Sequence, residues 1–151
     1  HPTMKRIISE YGEDGRVAWV YRHFVIFGEE SERQANATEC ARELGGEEKF
    51  WNYLDLLFTA KDENAKFLPG KTIETVAEEA GLNLEKFNTC VEEGKYKDQI
   101  LSWRDQAVAA GGKGTPFTLV VDKDGNILLP IGGAQPYESV KQILDEALTQ
   151  E

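Results

Sequence analysis

The chain has 151 residues, of which 40% are hydrophobic and 29% are charged, which is enough for one domain with a core or one core with a small insertion. The net charge of −10 argues against a surface that binds nucleic acid or anionic membranes, so we predict no nucleic-acid partner. No apolar run approaches the roughly 20 residues that a membrane-spanning helix needs.

The predicted elements begin with a short amphipathic helix, which ends in the glycines at positions 12 and 15. Its apolar face has the i, i+3, i+4, i+7 spacing and consists of Met4, Ile7, Ile8 and Tyr11. Residues 16–27, RVAWVYRHFVIF, are apolar on both alternating faces for most of their length. This pattern predicts a strand that is covered on both sides, as in α/β sheets.

Residues 29–110 carry a series of helical patterns and no strand pattern. Glycines are predicted to end the successive helices, at Gly45–Gly46, Gly81 and Gly94. Ser31 and Gln34 have the spacing of a capping box for the first of these helices, and Asn83 is predicted to cap a later one. We therefore predict an all-α block.

The chain then returns to strands. Phe117–Val121 and Asn126–Pro130 flank the sequence DKDGN, which is a hairpin signal. Because a proline cannot donate a hydrogen bond to a neighbouring strand, Pro130 favours an edge position for the second strand. Pro136 is predicted to open a final helix.

This order of elements predicts an α/β sheet domain that is interrupted by an all-α insertion. The sheet domain is discontinuous and comprises residues 1–28 and 111–151, and the insertion comprises residues 29–110. Three strands make a thin sheet for this much flanking helix, which indicates that something is missing at the front.

The two cysteines, Cys40 and Cys90, do not form a C-x-x-C pair, and both lie on apolar helix stripes. Only His1 and His23 could join them at a metal, whereas a zinc site needs ligand pairs at short spacing. We therefore predict no metal site and no cofactor. The cysteines are either two buried thiols that pack like small hydrophobic side chains or partners in a disulfide.

The sequence GGKGTPFTLVV, residues 111–121, places Thr115–Pro116 at the start of an apolar strand. From the residues alone, a trans proline that begins a strand is the simpler interpretation, since cis bonds are uncommon even before proline. The glycines do not form a phosphate-binding loop, because such a loop leads from a strand to a helix and this one leads from a helix to a strand.

Five stretches together resemble the DsbA-like branch of the thioredoxin fold. They are HPTMKRIISEYG, VAWVYRHF, ATECARELGGEEKFWNYLDLLF, LNLEKFNTCVEEGKYKDQI and GTPFTLVVDKDGNILLPIGGAQPYESVKQILDEAL, in the family's order. The resemblance implies a thioredoxin domain interrupted by a helical domain, in agreement with the order of elements. The chain departs from the family at Val25, where many relatives have a proline after RHF.

The resemblance also implies an activity, thiol–disulfide exchange on protein substrates through a C-x-x-C at the start of the first helix. Pro2 matches the family's kink proline, so the C-x-x-C is expected just before His1, and this chain is expected to be an inactive fragment without catalytic residues. Thr115 and Pro116 would form the cis-proline loop that binds an extended substrate. Cys40 and Cys90 would form a structural disulfide, as befits an oxidising compartment.

The leading hypothesis is a DsbA-like protein-disulfide oxidoreductase, either an oxidase or an isomerase, whose parent protein works in the periplasm or elsewhere outside the cytoplasm. Its expected partners are unfolded or cysteine-containing proteins and a redox partner protein. One alternative is a non-catalytic peptide-binding or chaperone-like domain, and another is a glutathione-dependent isomerase of the same fold. Without the missing strand, residues 16–27 and 117–121 would expose strand edges, which we expect to pair directly or in a homodimer.

Overall fold

The structure, a computed structural model, describes residues 2–13 and 15–149. His1, and with it the place expected for the C-x-x-C, lies outside the described residues. The helices and strands are α1 (Pro2–Gly12), α2 (Glu29–Thr59), α3 (Ile73–Glu79), α4 (Leu84–Glu93), α5 (Lys97–Ala109), β1 (Phe117–Val121), β2 (Ile127–Gly132) and α6 (Tyr137–Leu148).

The chain divides into two units. The sheet unit comprises the chain up to Phe24 and from Asp105 onward, and the helical unit comprises Val25–Arg104. The domain boundaries predicted after residue 28 and before residue 111 lie near these divisions. No helix of the described residues has both the length and the apolar character that crossing a bilayer demands.

The sheet unit contains the predicted hairpin. Strands β1 and β2 pair antiparallel, with Phe117 opposite Gly132 and Val120 opposite Leu129. The turn between them forms because the Asp122 carboxylate accepts backbone hydrogen bonds from Asp124 at 2.9 Å and Asn126 at 2.8 Å. This is the side-chain-to-backbone bonding that makes aspartate a turn former, so the hairpin prediction from DKDGN is confirmed.

Pro130 occupies a position in β2 that costs the sheet no hydrogen bond. The backbone N–H of Gly133 donates to the carbonyl of Pro116 at 2.9 Å, so these two residues form a hydrogen-bonded pair. Along an antiparallel ladder, hydrogen-bonded pairs alternate with pairs that exchange no backbone hydrogen bond. The pair of Pro130 and Leu119 is therefore one whose backbone groups point away from the partner strand. The prediction that Pro130 marks an edge strand is confirmed, because β2 pairs with β1 alone among the residues that the structure describes.

Residues 16–27 belong to no strand or helix, so the strand predicted for residues 16–27 is wrong. Burial alternates along this segment, and its outward side chains include Val20, which is 70% exposed. The segment is covered on one face rather than on two. Alternating apolar residues indicate which side chains can be buried, but a strand also needs a neighbouring backbone, which a sequence pattern does not reveal.

The sheet formed by residues 2–13 and 15–149 consists of β1 and β2 alone. Direct pairing between residues 16–27 and 117–121, one of the two arrangements predicted for their edges, is therefore wrong. The other arrangement, in which a homodimer pairs these edges, stays a prediction.

The helical unit has its own core, built from α2, α3 and α4. The side chains of Tyr53, Val76 and Phe87 are completely buried in it, and the rings of Tyr53 and Phe87 lie 5.6 Å apart. Cys40 and Cys90 belong to the same cluster. They are joined in a disulfide, with their Cα atoms 6.0 Å apart.

Glycine and asparagine end and begin the helices of this unit as their backbone chemistry predicts. Gly46 breaks α2 with a φ of 70°, and Gly94 ends α4 in the left-handed conformation. The Asn83 side chain accepts a hydrogen bond from the backbone of Lys86 at 3.0 Å, so the predicted cap is confirmed.

The capping box predicted at Ser31 and Gln34 is wrong. Helix α2 begins earlier, at Glu29, with Gly28 at its N-cap and no side chain capping it. Gln34 instead donates a hydrogen bond to Glu30 at 2.7 Å, one turn back along the helix. The acidic residues Glu29 and Glu30 in the first turn interact favourably with the helix dipole, which extends the helix beyond the predicted cap.

Candidate functional site

The loop between α5 and β1, residues 110–116, is held at both ends by backbone hydrogen bonds. At the end of α5, Gly112 donates to the carbonyl of Ala107 at 2.8 Å and Gly111 donates to Val108 at 3.0 Å. At the start of β1, the carbonyl of Pro116 accepts from Gly133 at 2.9 Å. The loop therefore leaves the helix and enters the sheet at fixed points, with the residues between them exposed apart from the half-buried Gly114.

Gly112 is the residue at which the loop packs most tightly. A Cβ atom placed there would lie 2.8 Å from the carbonyl oxygen of Ala107 and 3.0 Å from both Phe24 and Phe117. Contacts this short cannot be relieved by turning one flexible side chain, because the nearest atom belongs to the backbone. The absence of a side chain at residue 112 is thus a condition for the close approach of the loop to Ala107, Phe24 and Phe117.

We expect Gly112→Ala to lower the free energy of unfolding by about 1–3 kcal/mol, the usual cost of inserting a methyl group into a packed site. Urea unfolding followed by tryptophan fluorescence would measure the change. Gly114→Ala is the matched control, since a Cβ there meets no atom within 4 Å. Equal unfolding midpoints for the two variants would contradict the close packing at Gly112.

Thr115 and Pro116, the residues predicted to bind substrate, lie exposed at the end of this loop. The peptide bond between them is cis. They line a cavity of about 270 Å³ together with neighbouring residues of the loop and of the end of β2. The other lining residues are Gly111, Lys113, Gly114, Phe117, Gly132 and Gly133. The role of Thr115 and Pro116 in substrate binding stays a prediction.

Only Thr115 and Pro116 among the eight lining residues were predicted from the sequence to bind substrate, and the six that were not include Lys113, Gly132 and Gly133. The last two reach the cavity through the register of the hairpin, which sets Gly132 opposite Phe117. Their only sequence signal is the glycine pair directly after a predicted strand. That signal does not reveal which loop the glycines face, because strand register depends on contacts between distant residues.

The chemistry available at this cavity is binding rather than bond breaking. Of the eight lining residues, Lys113 alone is charged, and none is a cysteine, histidine or carboxylate. No group of three or more histidine, cysteine, aspartate or glutamate side chains that could hold a metal ion occurs within residues 2–13 and 15–149. Four of the eight lining residues are glycines, so no side chain covers the backbone at those positions of the cavity wall.

Helix α1 is attached to α6 by a buried apolar contact and a polar network. Ile7 and Tyr11 pack against Val140 and Leu144. The Tyr11 hydroxyl donates a hydrogen bond to the Asp145 carboxylate of α6 at 2.6 Å. This attachment fixes the orientation of α1 relative to α6.

Lys141 completes the polar network. Its ammonium donates to Asp145 at 2.7 Å and to the Tyr11 hydroxyl at 3.1 Å. These hydrogen bonds, the one from Lys141 first and the one from Tyr11 second, hold the pKa of Asp145 below its usual value. Burial, and next the hydrogen bond to Asp145, raises the pKa of Tyr11. At neutral pH the network therefore consists of a carboxylate, an ammonium and a neutral phenol. In these protonation states the opposite charges attract each other and the phenol can donate to the carboxylate.

The Cys40–Cys90 disulfide belongs to the helical unit, whereas Thr115 and Pro116 belong to the sheet unit. The side chain of Cys40 is completely buried and that of Cys90 is 6% exposed. A carboxylate oxygen of Glu43 lies 3.9 Å from the Cys90 sulfur. Burial and a neighbouring negative charge both disfavour a thiolate, so this pair is poorly suited to exchange.

Glu43 is part of a small polar cluster beside the disulfide. It accepts hydrogen bonds from the Tyr96 hydroxyl at 2.5 Å and from the Lys95 ammonium at 2.8 Å. These bonds, from Lys95 first, lower the pKa of Glu43, and burial together with the bond to Glu43 raises the pKa of Tyr96 to about 12. Glu43 is therefore ionised at neutral pH and keeps its charge next to the disulfide.

Comparison with known proteins places these features in a family context. A sequence model described as thioredoxin matches residues 1–146. The crystal structure of Pseudomonas aeruginosa DsbA2 superposes with a TM-score of 0.77 at 23% sequence identity, covering 97% of this chain and 80% of that protein. No curated protein sequence matches significantly. The predicted fold class, a DsbA-like thioredoxin fold with a helical insertion, is confirmed.

Proposed function

This chain belongs to the thioredoxin family, and we propose that its parent protein is a thiol–disulfide oxidoreductase that acts on cysteine-containing proteins outside the cytoplasm. One observation carries the proposal. Within a thioredoxin-family chain, Thr115 and Pro116 line an accessible cavity whose walls are largely glycine and carry no catalytic group. That is a surface on which a polypeptide can lie while chemistry is done by sulfur atoms supplied by another part of the protein.

The chemistry that we propose is disulfide exchange at a C-x-x-C before α1. In the oxidising direction, a substrate thiolate attacks one sulfur of the oxidised pair, and the other sulfur leaves as a thiolate. A second substrate thiolate then attacks the substrate sulfur of this mixed disulfide. A substrate disulfide forms, and two electrons and two protons have passed from the substrate to the C-x-x-C. A periplasmic or other oxidising compartment supports this direction.

In this scheme the residues of the present chain bind and orient. Gly114, Gly132 and Gly133 allow a substrate backbone to approach the loop closely, because no side chain stands between them and the cavity. The hydrogen bonds at both ends of the loop keep Thr115 and Pro116 in place. The contacts of α1 with α6 hold the helix that would carry the C-x-x-C at its beginning.

By itself this chain is expected to have no exchange activity. Its sequence has two cysteines, and both are used in the Cys40–Cys90 disulfide. Oxidation of a two-cysteine peptide, followed by mass spectrometry, would be compared for this chain and for a longer chain that includes the natural upstream sequence. We expect turnover from the longer chain alone. Cysteine-dependent turnover by residues 1–151 would overturn this assignment of roles.

The substrate cavity can be tested in this chain without catalysis. We expect Gly132→Leu to weaken the binding of a fluorescein-labelled unfolded peptide, because a Cβ at residue 132 meets no protein atom and the side chain would occupy the cavity. Losing one or two backbone hydrogen bonds to the peptide corresponds to a reduction in affinity of roughly tenfold. Fluorescence anisotropy measures the binding, and urea unfolding checks that stability is unchanged.

The control for this experiment is Gly12→Leu, which adds the same side chain at the end of α1, where the nearest contact of a Cβ is 3.9 Å away. It should bind the peptide as the unaltered chain does. Equal affinity of the Gly132→Leu variant would show that peptides bind elsewhere or not at all.

A second candidate function is non-catalytic peptide binding, as in a chaperone-like domain of the same fold. The observation that favours it is that this chain has a cavity but no free thiol. The two functions differ in one measurement. A longer natural chain that binds peptides at the cavity but oxidises no thiols would support the binding function and exclude the oxidoreductase.

A further inference from the structure

We propose that Lys113 is a specificity-determining residue of the cavity and that it selects extended polypeptides with an acidic side chain beside the segment bound at Thr115 and Pro116. The inference rests on the proposed function, because it names a class of substrate for the same cavity. It concerns recognition only and requires no bond to be made or broken.

The position of Lys113 in the loop is the first support. It follows Gly112, which is buried against α5 and β1, and precedes Gly114, Thr115 and Pro116 at the cavity. Since hydrogen bonds fix both ends of the loop, the backbone of Lys113 cannot drift far from the cavity. The side chain itself is exposed, so its ammonium can meet a ligand without first being uncovered.

The charge around the cavity is the second support. Lys113 is the single charged residue among the eight that line it, whereas the whole chain has a net charge of −10. Two other lysines of the sheet unit are neutralised by neighbours, since Lys141 pairs with Asp145 at 2.7 Å and Lys123 with Asp124 at 2.9 Å. Within the described part of the chain, the ammonium of Lys113 forms no such ion pair with a carboxylate.

These features make Lys113 a local positive charge on an acidic protein, at the edge of a neutral cavity. A carboxylate on the bound polypeptide would be attracted to it, and a lysine would be repelled. Exposed ion pairs are weak, so the preference for acidic over neutral polypeptides should be roughly twofold to fivefold and should shrink in high salt.

The test uses short fluorescein-labelled peptides that have serine in place of cysteine. One residue next to that serine is varied, in one set of peptides on its N-terminal side and in another set on its C-terminal side. The varied residue is glutamate, glutamine or lysine, and anisotropy reports binding to the intact chain. We expect the glutamate peptides to bind most tightly and the lysine peptides most weakly, with the differences lost in high salt. Lys113→Glu should reverse the order.

Lys123→Glu is the matched control, because it makes the same change of net charge on an exposed lysine outside the cavity. It should leave the order of affinities unchanged, and a reversal by this variant would assign the preference to the overall charge and overturn the inference. Equal affinity for all three peptides would overturn the inference and leave the proposed function standing. Failure of every peptide to bind would instead refute the cavity as a polypeptide site, and the inference with it.

Discussion

Replacing both Cys40 and Cys90 with alanine is expected to lower the free energy of unfolding by up to about 4 kcal/mol. The two residues are 50 positions apart in the sequence, so the disulfide closes a long loop. Cross-linking such a loop removes many conformations from the unfolded chain, and the folded state gains relative stability. The figure is an upper value because the unfolded chain keeps some structure of its own.

Chemical denaturation followed by tryptophan fluorescence would measure this effect. Denaturation of the unaltered chain in a strong reductant is the control, since it breaks the same bond without changing the core. Both treatments should shift the midpoint in the same direction and by similar amounts. A double variant as stable as the oxidised chain would show that the disulfide contributes nothing to the helical unit.

Phe87→Ala is expected to have an effect of similar size, about 3–5 kcal/mol, because it removes a large ring from a closely packed site. The Phe87 side chain is completely buried, and its ring lies 5.6 Å from that of Tyr53. Helix α4 contributes this residue to a core that α2 and α3 complete.

Phe58→Ala is the matched comparison for this prediction, because Phe58 lies in α2 and is 62% exposed. Its replacement should change the free energy of unfolding by no more than about 0.5 kcal/mol. Urea denaturation of the two variants measures both losses in the free energy of unfolding. Comparable losses for Phe58 and Phe87 would mean that the core lies elsewhere than on the inner faces of α2, α3 and α4.

The helices could be predicted from the sequence because their signals are local. The glycines at 46 and 94 adopt left-handed conformations that end a helical segment, and Asn83 caps the helix that begins next to it. Each of these interactions joins residues a few positions apart, so a short stretch of sequence contains both partners. The hairpin is predictable for the same reason, since Asp122 closes the turn on Asn126.

The strand expected at residues 16–27 failed for the opposite reason. The segment was predicted to be covered on both faces, but only one face is buried, the one that carries His23 and Val25. A strand, however, is defined by hydrogen bonds to another backbone, and no pattern within twelve residues specifies where that backbone lies. The exposure of Val20 has the same cause, because the sequence does not specify which face of an apolar segment is buried.

The amino-acid sequence by itself determined the helices and the hairpin and, through the family resemblance, led to the prediction that Thr115 and Pro116 bind substrate. Only the tertiary structure decided what surrounds those two residues. Gly132 and Gly133 reach the cavity because β2 pairs with β1 in one register, and Lys113 stands at its edge because the loop is held at both ends. Such contacts join residues far apart in the chain, and the free energy that selects them comes from packing and pairing in the folded state rather than from any local preference.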